Sequence, residues 1–263
     1  LSSAPGSIVI SPAYRKAAED LGLSASWVFT DPRVVVWREL ADRQNCTLRF
    51  DHLGRACFWH IKRYRGRRAV KAMLHEVHGL ELLKAAGVPA LNMVAHGTLD
   101  EHQAFIITEN LAGYVAGDKY LSDGVGQFEQ ILVPTARLAA LLHAQAPRGA
   151  DLHHRDMYLC HFFIKADDAS DIRFIDVARV RELPWFFRQR WVVKDLAQFI
   201  YSTYEHDISD LQRRAWLAEY AAAAGQPLTQ PLHARIYDKV KRIGRHDEHL
   251  RRRQPDRNIS IPQ

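Results

Sequence analysis

One short stretch of this chain restricts its fold more than any other. Leu152-His153-His154-Arg155-Asp156-Met157-Tyr158-Leu159-Cys160-His161-Phe162-Phe163-Ile164 crowds titratable side chains directly ahead of bulky apolar ones, and Ile172-Arg173-Phe174-Ile175-Asp176 is a second apolar strand that ends on a carboxylate. Residues 165–171 between them are turn formers. A hairpin turning between Asp168 and Ala169 sets His161 opposite Asp176 and Ile164 opposite Arg173, although so long a loop leaves the register free to slip by a residue or two. Opposed residues lie about 4.5–5.5 Å apart. An imidazole and a carboxylate would then share one metal ion, with Asp156 just outside them and free to act on a substrate.

His-Arg-Asp, four residues, a metal ligand and a strand-end Asp about twenty residues on is the catalytic layout of the protein-kinase fold. There the first Asp, here Asp156, accepts the proton of the attacking hydroxyl. The later pair, here His161 and Asp176, hold the divalent ions on the ATP phosphates. The layout makes further demands on the chain. A third-strand lysine must hold the phosphates, and Lys62 ends Phe58-Trp59-His60-Ile61-Lys62. A helix glutamate must orient that lysine, and Glu76 follows, with Glu81 on the same helix. An extended connection must offer backbone to adenine, and Thr108-Glu109-Asn110-Leu111 follows a strand. Two features depart from ordinary protein kinases: residues 40–45 contain no glycine where a Gly-rich loop belongs, and Asp176 opens Asp-Val-Ala rather than Asp-Phe-Gly.

The rest of the chain suits two lobes. With 263 residues, 47% hydrophobic and 25% charged, it has a globular composition, which excludes disordered, collagen-like and fibrous classes. Val34-Val35-Val36-Trp37, Thr47-Leu48-Arg49-Phe50 and residues 56–64 read as an antiparallel meander with turns at 42–45 and 51–54. Met73, Val77, Leu80 and Leu83 then lie at helical spacing within 72–86, ahead of the stop signals Gly87 and Pro89. Phe105-Ile106-Ile107-Thr108 is a short strand and 112–126 reads as a connection. Phe128, Ile131, Leu132, Thr135, Leu138 and Leu142 mark a long amphipathic helix, and apart from the hairpin the remainder reads as helical to about Gly244. The expected fold is α+β: a bilobal protein-kinase-like fold with a strand-rich, nucleotide-binding N-lobe carrying one helix (1–111) and a helical, catalytic C-lobe (112–263) with a small hairpin and a basic tail.

Cys46, Cys57 and Cys160 are too few and too scattered for a disulfide framework or a paired-cysteine zinc site and read as reduced thiols. No apolar run reaches the roughly 18 to 20 residues that cross a bilayer, and residues 1–11 lack a secretory apolar stretch, so a cytoplasmic enzyme is expected. The net charge of +6 suits anionic partners. Residues 235–253, with eight Lys/Arg against Asp238, Asp247 and Glu248, carry +5 of it.

At these residues the sequence resembles the lipopolysaccharide core kinases, the WaaP heptose kinase and Kdo kinase family of Gram-negative bacteria. The family run His-Arg-Asp-x-Tyr-x-Cys-His-Phe is met by His154-Arg155-Asp156-Met157-Tyr158-Leu159-Cys160-His161-Phe162. Ile175-Asp176 followed by Arg179 resembles its metal-binding strand end. Arg190-Trp191 and Lys194-Asp195-Leu196 resemble its following helix, whose Asp braces the catalytic loop. The resemblance implies a kinase that uses ATP and Mg2+ or Mn2+ to phosphorylate a sugar hydroxyl of the lipopolysaccharide inner core, a heptose first and Kdo as the alternative. It implies Asp156 as catalytic, Lys62, Glu76, Glu109 and Leu111 as nucleotide-binding, His161 and Asp176 as metal ligands, and His154, Arg155 and Asp195 as loop supports. The expected setting is the cytoplasmic face of the inner membrane. The expected partners are the inner core and lipid A glycolipid and the anionic membrane surface, with an acyl carrier protein a further candidate and no nucleic acid.

Blander readings stand beside these. His161 also suits a satisfied core histidine, Asp156 an exposed loop, Cys160 a small buried side chain, and His153 and His154 a role in orienting the loop backbone. Residues 184–191 set aromatics beside arginines, as a membrane interface requires, yet a helix start after Pro184 explains them equally. The basic run 62–68 suits anionic lipid or glycan, or a solvated face. Rival functions are a metal-dependent hydrolase built from His153, His154, Asp156, Cys160 and His161, a basic nucleic-acid or membrane-surface module built on the tail, and a pseudokinase, which the set Lys62, Glu76, Asp156 and Asp176 disfavours.

Overall fold

The computed structural model describes residues 6–144 and 151–253. The chain separates into two compact units, Leu1–Glu81 with Leu91–Ala112, and Leu82–Ala90 with Gly113–Gln263.

The first unit contains β1 (Ile8–Ile10), α1 (Arg15–Asp20), α2 (Ala25–Thr30), β2 (Val35–Glu39), β3 (Arg43–His52), β4 (Arg55–Arg65), most of α3 (Ala69–Ala85), β5 (Met93–Thr98) and β6 (Gln103–Glu109). Its antiparallel sheet has the order β1-β5-β6-β4-β3-β2. The turn expected at 42–45 lies earlier. Arg43, Gln44 and Asn45 enter β3 and pair with Tyr64, Arg63 and Lys62, because tertiary pairing along the whole of β4 overrides the turn preference of these polar residues. The opening residues, which carry no legible motif, belong to this core: Ala17, Ala18, Ala25 and Val28 bury against Leu48, Trp59, Ile61, Phe105 and Ile107. Ser24 caps α2 by accepting from Trp27 N at 3.2 Å. Arg63, in the middle of the basic run, is buried and donates to the Val28 carbonyl at 2.8 Å. That run is therefore not a uniformly solvated face.

The second unit contains β7 (Tyr114–Ala116), α4 (Gly117–Ser122), α5 (Phe128–Ala144), β8 (Asp151–His153), β9 (Phe162–Lys165), β10 (Asp168–Phe174), β11 (Arg181–Leu183), α6 (Arg188–Ser202), α7 (Asp210–Ala223) and α8 (Gln230–Arg253). The stretch 112–126 is thus not a plain connection, since it supplies a strand and a helix, and the region beyond is not only helical. β7 lies beside β9, giving the sheet β10-β9-β7, and β8 pairs with β11. The aromatic core stacks Phe199 on Trp216 at 3.9 Å with Phe162 edge-on to Phe199, and Trp216 Nε1 donates to Thr135 Oγ1 at 2.9 Å. α5 buries Phe128, Ile131, Thr135, Leu138 and Leu142, as their spacing predicts.

The hairpin register differs from the sequence expectation by one residue. Ile164 pairs with Ile172 and Phe163 with Arg173, and Ile175 N donates to the His161 carbonyl at 3.0 Å, so His161 stands opposite Ile175 rather than Asp176. The turn falls at Ala166 and Asp167 instead of between Asp168 and Ala169. A register shift between Asp168 and Ile172 absorbs the extra residues, and Asp168 holds it by accepting from Ser170 N at 3.0 Å and Oγ at 2.6 Å.

Candidate active site

The catalytic-loop candidates converge within the second unit. Asp156, His161 and Asp176 each offer a ligand atom, and all three atoms lie within 4.8 Å of one another. His161 Nδ1 bonds the Asp156 carbonyl at 2.6 Å, which turns Nε2 toward Asp176 Oδ2 at 3.8 Å. The one-residue register difference therefore does not separate the pair. Two backbone positions are held in the left-handed region that side chains usually avoid, Arg155 at φ 65° and Asp176 at φ 52°. Strain of this kind costs of order 1–3 kcal/mol per residue and persists where surrounding bonds enforce it.

At Arg155 the enforcing bonds come from one face of α6. Asp195 Oδ2 and Oδ1 accept from His154 N at 2.9 Å and Arg155 N at 2.8 Å, Gln198 Oε1 accepts from Met157 N at 3.2 Å, and Ser202 Oγ accepts from Leu159 N at 2.8 Å. The spacings of 3 and 4 put these acceptors on one helix face, so the loop backbone is pinned at successive turns. Lys194 Nζ donates to the Arg155 carbonyl, and the Arg155 guanidinium lies over the Trp191 ring at 4.6 Å. The Asp156 carboxylate itself receives Gln198 Nε2 and Arg179 Nη1, both at 3.3 Å on Oδ1.

Behind Asp195 lies a second group, His143, His153 and Asp195, wholly buried. His143 bonds Tyr220 Oη at 2.8 Å and Asp195 Oδ2 at 3.3 Å. Burial is the largest influence on Asp195 and opposes its ionisation, but the hydrogen bond from His143 and the electrostatic influence of His143, His154 and His153 together outweigh it and the pKa is lowered. Burial pushes His153 down to about 3 and His154 to about 4. Both are neutral at working pH. His154 Nε2 therefore carries the proton it gives to the Ile175 carbonyl at 3.2 Å. At His161 burial again opposes the charge, but Cys160, the Asp176 carboxylate and the Asp156 carbonyl prevail and raise the pKa to about 9. Cys160 is half-buried rather than fully buried.

The buried histidines predict acid sensitivity. The unfolded chain protonates them near the ordinary value of 6.5, while the folded chain resists until about 3 and 4, so stability falls as pH drops below 6.5. At pH 5 the expected loss is about 2 kcal/mol per residue. Urea unfolding at pH 7.5 and pH 5 checks this, and His153→Phe should recover about half of the loss. Equal stability at the two pH values would contradict it.

In the first unit Lys62 Nζ bonds Glu76 Oε1 at 2.5 Å, and Tyr64 Oη bonds the other oxygen of Glu76. Glu76 is buried, whereas Lys62 keeps 26% of its side chain exposed. The buried carboxylate thus fixes the position of the ammonium, and Glu81 is exposed and outside this pair. Glu109 is engaged through its side chain, accepting from Tyr14 Oη at 2.5 Å and from Asn92 Nδ2. Leu111 is buried, and between them Asn110 N donates to the Phe58 carbonyl at 2.9 Å.

The profile of the lipopolysaccharide kinase (Kdo/WaaP) family matches residues 23–220. The chain belongs to this family. It is 30% identical over 210 residues to the lipopolysaccharide core heptose(I) kinase WaaP of Pseudomonas aeruginosa, an alignment covering 70% of this chain and 76% of the relative. The fold is that of a solved aminoglycoside-3'-phosphotransferase of type VIII, with a TM-score of 0.56 and 19% identity over 88% of this chain and all of that one. The protein is thus an α+β kinase-like phosphotransferase.

Some residues of the site escaped sequence reasoning. Gln198 and Ser202 repeat the Asp195 face at i+3 and i+7, a signal open to inspection once Asp195 is placed. His143 reaches Asp195 from α5 and is itself held by Tyr220 of α7, and no local pattern announces either.

Proposed function

We propose that this kinase transfers the γ-phosphoryl group of ATP to a heptose hydroxyl of the lipopolysaccharide inner core, with the first unit holding the nucleotide phosphates and the second carrying the chemistry. The observation that carries this reading is the convergence of Asp156, His161 and Asp176 on a loop braced by α6. The relative named for heptose(I) favours heptose over Kdo. A hydrolase is not favoured: the matching family and the relative are kinases, and His153 and His154, two of the ligands it would need, are buried.

In this account the Asp156 carboxylate aligns the acceptor hydroxyl and takes its proton, while Gln198 and Arg179 fix the carboxylate through Oδ1 and leave Oδ2 to face the substrate. Lys62, oriented by Glu76, balances phosphate charge, and Glu109 and Leu111 flank the backbone offered to adenine. His161 and Asp176 would hold the divalent ion. Oxygen with imidazole suits Mg2+ or Mn2+, the nitrogen favouring the latter. Such an ion, when bound, neutralises charge on the phosphate oxygens. The reading places its action at the inner face of the inner membrane; no helix among the described residues is long and apolar enough to cross a membrane, and an acyl carrier protein is a partner to test by co-purification.

Mass spectrometry of inner-core lipopolysaccharide from matched strains with and without core heptoses, incubated with the enzyme, ATP and Mg2+ or Mn2+, tests the reading. A gain of one phosphate only in the heptose-containing acceptor supports it. A gain in both would move the target to Kdo or lipid A.

A further inference from the structure

The basic tail is a structured helix with two unlike faces. Ile236 and Val240 are buried, a Cβ at Gly244 would lie 3.3 Å from the Tyr201 ring, and Asp247 accepts from Tyr201 Oη at 2.8 Å. These positions follow one stripe of α8, which rests on α6. The opposite stripe, Lys241, Arg242, Arg245 and Arg252, is exposed. Its acids are few, and Glu248 is taken by Arg252.

The direction of α8 matters. Tyr237 lies within electrostatic reach of Tyr204 and Asp210 beyond the C-terminal end of α6, whereas Asp247 reaches Tyr201 and also Tyr158 of the catalytic loop. The helix therefore runs antiparallel to α6 and carries its charge toward the catalytic loop. At the start of α6, toward which α8 runs, Phe186 and Phe187 sit side by side with 62% and 43% of their surfaces exposed, next to the exposed Arg190.

The geometry points to a docking face on the second unit, formed by the exposed stripe of α8 and the Phe186–Phe187 pair, that seats this unit on an anionic lipid bilayer. A stripe of lysine and arginine is drawn to an anionic surface, and rings beside it enter the interfacial layer as in amphipathic surface helices. The exposed phenylalanines favour a bilayer over a purely polyanionic partner, which offers them no apolar layer. The inference deepens the kinase reading by saying how the enzyme meets an acceptor anchored in lipid, but binding itself needs neither ATP nor acceptor.

Vesicle sedimentation without nucleotide tests it, comparing neutral phosphatidylcholine vesicles with vesicles that also contain phosphatidylglycerol. The protein should pellet with the anionic vesicles only, less so as salt rises. Lys241→Glu with Arg245→Glu should weaken binding at least tenfold, as should Phe186→Ser with Phe187→Ser, each with an unchanged melting temperature. Equal binding to neutral vesicles, indifference to both pairs of substitutions, or retention by heparin without vesicle binding would overturn the proposal. Vesicle binding without phosphoryl transfer to any core acceptor would instead sink the kinase reading and leave the docking face standing.

Discussion

Asp156→Ala is expected to lower kcat about 10²- to 10⁴-fold, the usual worth of a positioned general base, with the KM for ATP little changed. The carboxylate is fixed by Gln198 and Arg179, and its loop is held by backbone bonds that involve other residues' side chains. Removing it should therefore spare the loop. Steady-state kinetics with a core acceptor, beside a melting curve, separates the two effects. A kcat within about fivefold of wild type would mean that Asp156 neither aligns nor deprotonates the hydroxyl, since that is far below the range for such a base.

Asp195→Ala should strike stability and catalysis together. It strips the acceptor from two backbone N–H groups, those of His154 and Arg155, and from His143 in a wholly buried setting. Each buried donor left unsatisfied costs about 1–3 kcal/mol, so urea unfolding should report a loss of at least about 3 kcal/mol. Arg155 also loses part of what enforces its left-handed backbone, and the fall in kcat should persist at temperatures where the variant is folded. Asp195→Asn keeps one acceptor oxygen and should fall between. Full activity in a destabilised Asp195→Ala would show that the α6 face supports the fold and not the site.

What the sequence disclosed depended on how far apart the cooperating residues lie along the chain. Lys62 and Glu76 sit on a strand and the helix that follows it, and Asp156, His161 and Asp176 sit on one loop and hairpin, so spacing alone could nominate them. The kinase-like order of strands and helices was legible for the same reason. The hairpin register came out one residue off because the irregularity between Asp168 and Ile172 depends on a side-chain bond from Asp168 to Ser170. β5 and the two opening helices were unreadable. Met93–Thr98 contains His96 and Gly97, and Ala17, Ala18 and Ala25 are small residues whose burial follows from tertiary packing rather than from a strong apolar pattern. Bonds from Gln198 and Ser202 to a loop some forty residues upstream, and from Tyr220 to His143 across 77, arise only once helices α5, α6 and α7 are assembled.

The most direct test of the account is single-turnover transfer of label from γ-labelled ATP to heptose-containing inner core by the wild type, Lys62→Ala and Asp156→Ala, with nucleotide binding measured in parallel. The account predicts label on the heptose with the wild type, a loss of about 10² or more with either variant, and nucleotide affinity reduced only in Lys62→Ala. Undiminished transfer by Asp156→Ala, or label entering a heptose-free core at the same rate, would contradict it.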